Sequence, residues 1–188
     1  LQPYFSKAKV PYPAKKLGFL VFKKTKQLQL YASYQSRWHY IRSYPIHAAS
    51  GKMGPKLKEG DGQVPEGVYR ITALNPDSRF DLSMHISYPN DFDRFHARLD
   101  GRKSLGGNIF IHGGDSSEGC VALGDGAIEQ LFPLVYSVGV NNTVVVIAPF
   151  DLRRHKPIMA KSAPKWLPVL YGKISKSLRY FPVHKSHA

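Results

Sequence analysis

"NIFIHGGDSSEGCVALGDGAIEQLF", Asn108 to Phe132, joins an apolar run, a glycine- and serine-rich bend and the start of an amphipathic segment. The run reads as a short buried strand that ends at His112. Asp125 is placed to cap a helix in which Ile128, Leu131, Phe132 and Val135 form one apolar stripe. Pro133, inside that stripe, predicts a kink or an early end. Cys120 lies between strand and helix, eight residues after His112, and is the chain's single cysteine. One cysteine forms no internal disulfide, so Cys120 is either buried filler or a reactive thiol. A thiol attacks as thiolate, and an imidazole or backbone N–H groups lower its pKa from about 8.5. A loop running into a helix offers such N–H groups, which also stabilise a tetrahedral oxyanion. Gly119 allows close approach of a carbonyl substrate. Gly113 and Gly114 allow a sharp turn, and the Gly113 carbonyl can hold the second imidazole nitrogen in one tautomer. On the residues alone, a core cysteine and a scaffolding histidine remain open alternatives.

Upstream, three prolines by Pro13 mark residues 1–16 as an extended lead-in. "LGFLVFK", "KQLQLYASYQ" and "WHYIRSYPIHAAS" then read as strands, with Leu28, Leu30 and Ala32 on one face and a hairpin tip at Lys23–Lys26. Ser50 to Gly67, with five glycines and two prolines, is a long loop of the kind that often carries function. In it Asp61 and Glu66 read as turn residues rather than a carboxylate pair. "VYRITAL" and "FDLSMHISY" resume the strands, "NDFDRFHARLDGR" is a partly helical link, and "NTVVVIAPF" is a further strand. Residues 17–150 are the expected catalytic domain and 151–188 a basic C-terminal extension. Trp166, Leu167, Leu170, Ile174 and Leu178 keep a helical spacing there, which suits a packed helix or one lying on a membrane surface.

The chain has 188 residues, 43% hydrophobic and 21% charged, ordinary for one globular domain. Its 27 Lys and Arg against 13 Asp and Glu give a net charge of +14, which favours polyanionic neighbours. The basic residues, among them Lys23, Lys24, Arg153 and Lys161, are spread out and read as a solubilising surface. No zinc-finger, RNP or basic-zipper pattern supports nucleic-acid binding. His85, His96 and His112 lack zinc spacing.

"IHGGDSSEGCVAL" resembles the active-site signature of the L,D-transpeptidase (YkuD-type) family, in which His-Gly precedes Ser-x-Gly-Cys. "SGKMGPKLKEGDGQVPEGVYRI" and "MHISYPNDFDR" are similar to its subgroup of periplasmic murein L,D-endopeptidase and amidase-like members. The resemblance runs from about Leu17 to Pro149. It implies a mainly β fold, a YkuD-like curved β-sandwich or barrel with one or two helices including the basic C-terminal one, and no cofactor. It also implies Cys120 as nucleophile, His112 as general base and the Gly113 carbonyl as its orienter. Ser117 and Gly119 match the signature, with oxyanion donors around Gly119 and Cys120 and with His85 lining the cleft. Two positions depart from the pattern. Glu118 stands where many transpeptidases have His, and Ala122 where many have an Arg that meets a substrate carboxylate. Anion recognition then falls to Lys56, Arg94 or Arg102.

The activity implied is acyl transfer on peptidoglycan stem peptides at an L,D bond, typically at meso-diaminopimelate. An amine or water resolves the acyl-enzyme, with a slight lean to water. Partners would be stem peptides or a wall-attached protein, in the periplasm after removal of an export signal, with peripheral membrane contact open. The rival class is a non-catalytic cationic wall-binding module with an inert Cys120. Sortase-like enzymes separate His and Cys further, and papain-like ones reverse their order.

Overall fold

Every residue of Leu17–Phe22 (β1) is buried, as an apolar run without alternation requires when both faces are covered. Leu17, Phe19 and Val21 face an inner core, and Leu20 and Phe22 an outer one. The computed structural model describes residues 1–157, 159–160 and 162–184; the expected surface position of Lys161 lies outside them. From β1 the chain turns at Lys23–Lys26 into β2 (Gln27–Tyr34) and β3 (Arg37–Pro45). After the long loop come β4 (Gly67–Ser78), β5 (Asp81–Ile86) and α2 (Asp91–Leu99). Then β6 (Phe110–His112), β7 (Val121–Ala122), α3 (Asp125–Val138), β8 (Thr143–Ala148) and α4 (Leu167–Leu178) follow. Gln2–Lys7 forms the short helix α1.

The strands make one mixed sheet in the order β3-β2-β1-β8-β4-β5-β6-β7. β8 runs parallel to β1 and β7 parallel to β6; the other neighbours are antiparallel. The sheet curls until its ends meet. Beyond β3, Ala48 bridges Ala122, with N···O distances of 2.9 Å from Ala122 N–H to Ala48 and from His47 N–H to Ala122. The expected curved sandwich or barrel is therefore a single curled sheet. Leu28, Leu30 and Ala32 point into its inner core with Ile111, Val121 and the α3 residues Ile128, Leu131 and Val135.

α4 covers the outer face. Leu167, Leu170, Ile174 and Leu178 pack against Leu20, Phe22, Val146 and Ala148, so the apolar stripe is occupied by the sheet. At Gly18 a Cβ would come within 2.4 Å of the Phe181 ring, so the segment after α4 closes onto a bare stretch of β1. No helix among the described residues is long and apolar enough to cross a membrane.

Three local expectations change. The opening residues are helical rather than extended, because Pro3 sits in the first turn, where its missing N–H costs nothing, and Phe5 is fully buried. Asp125 is the first residue of α3 rather than its cap; Gly124 precedes it, and the Asp125 carboxylate instead accepts Gly114 N–H at 2.7 Å. Pro133 does not shorten α3, which runs on to Val138 because Leu134, Val135 and Val138 are held in the core.

Candidate active site

β5, β6 and β7 carry the site on the face opposite the inner core. Met84, Ile111 and Val121 point inward. The alternation of strands sends Ser83, His85, Phe110 and His112 to the other side. The pairings His85↔Phe110, Ser83↔His112 and His112↔Ala122 align these residues across neighbouring strands. Cys120 immediately precedes β7, where the register continues to Phe110, and Phe110 N–H donates to Cys120 Sγ at 3.4 Å. By this register His112 and Cys120 stand two residues apart along the seam of β6 and β7. The structure brings together the two residues that the sequence singled out.

His112 is almost fully buried, and its Nδ1 lies 2.5 Å from the Gly113 carbonyl oxygen. A carbonyl only accepts, so Nδ1 carries the proton and Nε2 is left as the acceptor. The ring packs against Phe80 at 4.6 Å between centroids. Gly113 admits no side chain, since a Cβ would lie 2.7 Å from Asp125 Oδ1 and from the Phe80 carbonyl. Burial lowers the His112 pKa, partly opposed by the Gly113 hydrogen bond. Burial also raises that of Cys120, against the Phe110 N–H and the nearby Lys56 charge. Both shifts favour the uncharged imidazole and the uncharged thiol.

The bend itself is clamped. Ser117 Oγ accepts Cys120 N–H at 3.0 Å and donates to the Cys120 carbonyl at 2.6 Å. Gly119 N–H donates to Ser50 Oγ at 2.7 Å, and that hydroxyl donates to the Gly62 carbonyl at 2.6 Å. The two amides expected as oxyanion donors are thus already bonded within the protein. Gly119 holds φ +82, a conformation suited to glycine, and Asn108, whose carbonyl is 3.7 Å from Cys120 Sγ, holds φ +55.

The remaining candidates separate. His85 Nδ1 pairs with Thr72 Oγ1 at 2.6 Å, and its ring meets Phe110 edge-on at 5.1 Å, beside the thiol's neighbour. Lys56 lines a small cleft next to Cys120 with Gly119, Glu118 and Asn108. Arg102 is committed elsewhere, to the Leu57 carbonyl at 2.8 Å and Asp100 at 3.0 Å. Arg94 is exposed on α2, the helix whose Phe92 and His96 pack on Trp166 beside α4. Ala122 is fully buried in the seam and has no room for an Arg.

Two features escaped the sequence reading. Ser50 gave no signal, because its partner Gly119 is 69 residues away. Lys23 and Glu66, expected at the surface and in a turn, are a buried ion pair at 3.0 Å. Glu66 also accepts Tyr171 Oη–H at 2.8 Å and Gly54 N–H at 2.8 Å, which ties α4 and the long loop to β1.

Comparison with known proteins places the chain in a family. Residues 18–147 match the L,D-transpeptidase catalytic domain family, YkuD. Over 146 residues the chain is 34% identical to a protein of Escherichia coli (strain K12) named "Putative L,D-transpeptidase YafK", covering 72% of this chain and 57% of that protein. The chain thus spans little more than half the length of that curated relative. Its fold resembles the helical cell shape determining protein Pgp2 from Campylobacter jejuni (TM-score 0.58, 23% identity, 85% of this chain and 57% of that one). It also resembles Bdellovibrio bacteriovorus Bd1075 (TM-score 0.53, 20% identity, 87% of this chain and 54% of that one). By the extent of the family match and the identity to YafK, the chain belongs to the YkuD family of L,D-transpeptidase catalytic domains.

Proposed function

We propose that the protein is a cysteine-dependent acyl-transfer enzyme acting on peptidoglycan stem peptides at an L,D bond. The observation that supports this reading is the placement of His112 at the end of β6 and of Cys120 directly before β7, its parallel neighbour, with His112 Nδ1 tied to the Gly113 carbonyl. As the thiol attacks the substrate carbonyl, the free Nε2 takes its proton and returns it to the leaving amine. This is general-base chemistry from a neutral pair, in keeping with a lowered imidazole pKa and a raised thiol pKa. The oxyanion gains a donor when it replaces the Ser50 or Ser117 hydroxyl as acceptor of the Gly119 or Cys120 amide. That exchange keeps the number of hydrogen bonds nearly constant.

An amine or water then releases the acyl group, giving cross-linking or attachment in one case and cleavage in the other. Such a substrate places the enzyme in the bacterial periplasm. Incubation with purified muropeptides, followed by mass spectrometry, tests the reading. The expected products are monomers trimmed at the L,D bond or L,D-linked dimers, both absent with Cys120→Ala. Unchanged muropeptides, or products that persist with Cys120→Ala, would refute it. The first result would leave only a wall-binding role for the domain.

A further inference from the structure

The cleft beside Cys120 has an unusual charge for this chain. In a protein of net charge +14, its rim carries the carboxylates of Glu59 and Glu118. Glu59 is occupied, since Ser104 Oγ donates to its Oε2 at 2.6 Å. Glu118 is exposed and, among the described residues, has no hydrogen bond or ion pair; it stands one residue before Gly119 and across from Gly62, whose Cβ position would lie 4.0 Å from Glu118 Cγ. On the same cleft is the buried Lys56 ammonium. It donates to the Lys58 carbonyl at 2.9 Å and to Asp61 Oδ1 at 2.5 Å. An ammonium has three N–H donors, so one remains. The cleft offers about 180 Å³, room for a small polar group and not for a second peptide strand. Its lining includes Asn108, whose carbonyl is 3.7 Å from Cys120 Sγ, and Gly119, the residue before Cys120.

We infer that this cleft holds a free α-amino-acid end of the substrate, with the ammonium on Glu118 and the carboxylate on the third N–H of Lys56. The inference rests on the stem-peptide reading and narrows it. The acyl donor would be a stem whose diamino acid still has its side-chain amine and carboxylate free. A residue already cross-linked through that amine offers an amide in place of the ammonium and loses the Glu118 contact. Lys56 would take over the carboxylate recognition that an Arg at position 122 gives in other members implied by the signature. Glu118 is then a specificity-determining residue, occupying the position between the signature's serine and glycine.

The test measures binding and so does not depend on turnover. Cys120→Ala protein is titrated calorimetrically with the tripeptide L-alanyl-γ-D-glutamyl-meso-diaminopimelate and with the same peptide acetylated on its side-chain amine. The free peptide is expected to bind about two- to fivefold more tightly, as for a solvated ion pair. Adding Glu118→Gln should abolish the difference by weakening only the free peptide, while the fold, read by circular dichroism, is unchanged. Equal affinities, no binding of either peptide, or a preference that survives Glu118→Gln would overturn the inference. Muropeptide turnover by the unmodified enzyme is read separately, so failure of the stem-peptide reading shows as absent products and failure of the cleft assignment as absent discrimination.

Discussion

At the scale of single residues, the proposed chemistry is a proton path whose direction one carbonyl sets. Protonated His112 cannot accept the thiol's proton, and burial holds its pKa below the usual 6.5. Activity should therefore rise with pH through a midpoint below 6.5. The raised thiol pKa sets no alkaline loss between neutral pH and about 9, since the general-base route starts from the thiol. A profile of kcat/KM against pH checks this; a midpoint above 7 would contradict a lowered His112 pKa as the group that limits activity. Ser117→Ala removes both hydrogen bonds that fix the Cys120 backbone. It is expected to lower kcat by about 10–100-fold with little change in KM, as loss of orientation does. His112, Cys120 and Ser117 were legible because they sit in one short stretch of chain. Ser50 was not, because only folding brings the long loop against the bend. The thiol's raised pKa was equally hidden, since spacing reveals donors but not the degree of burial.

At the scale of elements, the long loop between β3 and β4 is held from three directions. Ser50 fixes one end to Gly119, Asp61 gathers the Leu57, Lys58 and Gln63 amides, and Glu66 joins Lys23 to Tyr171. Glu66 has no exposed surface. Glu66→Gln leaves the buried Lys23 ammonium without its counter-charge and should cost about 3–5 kcal/mol in urea unfolding. Tyr171→Phe deletes one hydrogen bond to a charged group and should cost about 1.5–3 kcal/mol. If Glu66→Gln proves neutral, the loop is not anchored by this pair. Strands β1, β2 and β8 and helices α3 and α4 were legible from periodicity, and Asp61 from turn chemistry. α1 was misjudged because proline, a breaker inside helices, is favoured in their first turn. The ion pair was missed because a lysine at a hairpin and a glutamate after a proline look like solvated turn residues until both are covered.

At the scale of the molecule, the curled sheet separates two cores and sets chemistry on the outside of one end. That a β-rich curved sheet would form was legible from strand patterning and from the family signature. The strand order was not, because parallel pairing of β8 with β1 joins segments far apart in the chain. α4 is the cover of the outer core, and Ile174, at its centre, is fully buried. Ile174→Ala should cost about 2–5 kcal/mol by urea titration, leaving active-site chemistry intact at low denaturant. A larger loss of activity than of stability would mean that α4 acts on the site directly.

The central claim, that Cys120 attacks with His112 as its base, is tested most directly by intact-protein mass spectrometry of the enzyme quenched during turnover of a stem tetrapeptide. The account predicts an added acyl mass that maps to Cys120, is missing from Cys120→Ala, and forms at least a hundredfold more slowly with His112→Ala. Release of product by Cys120→Ala at the unmodified rate, or an adduct on any other residue, would contradict it.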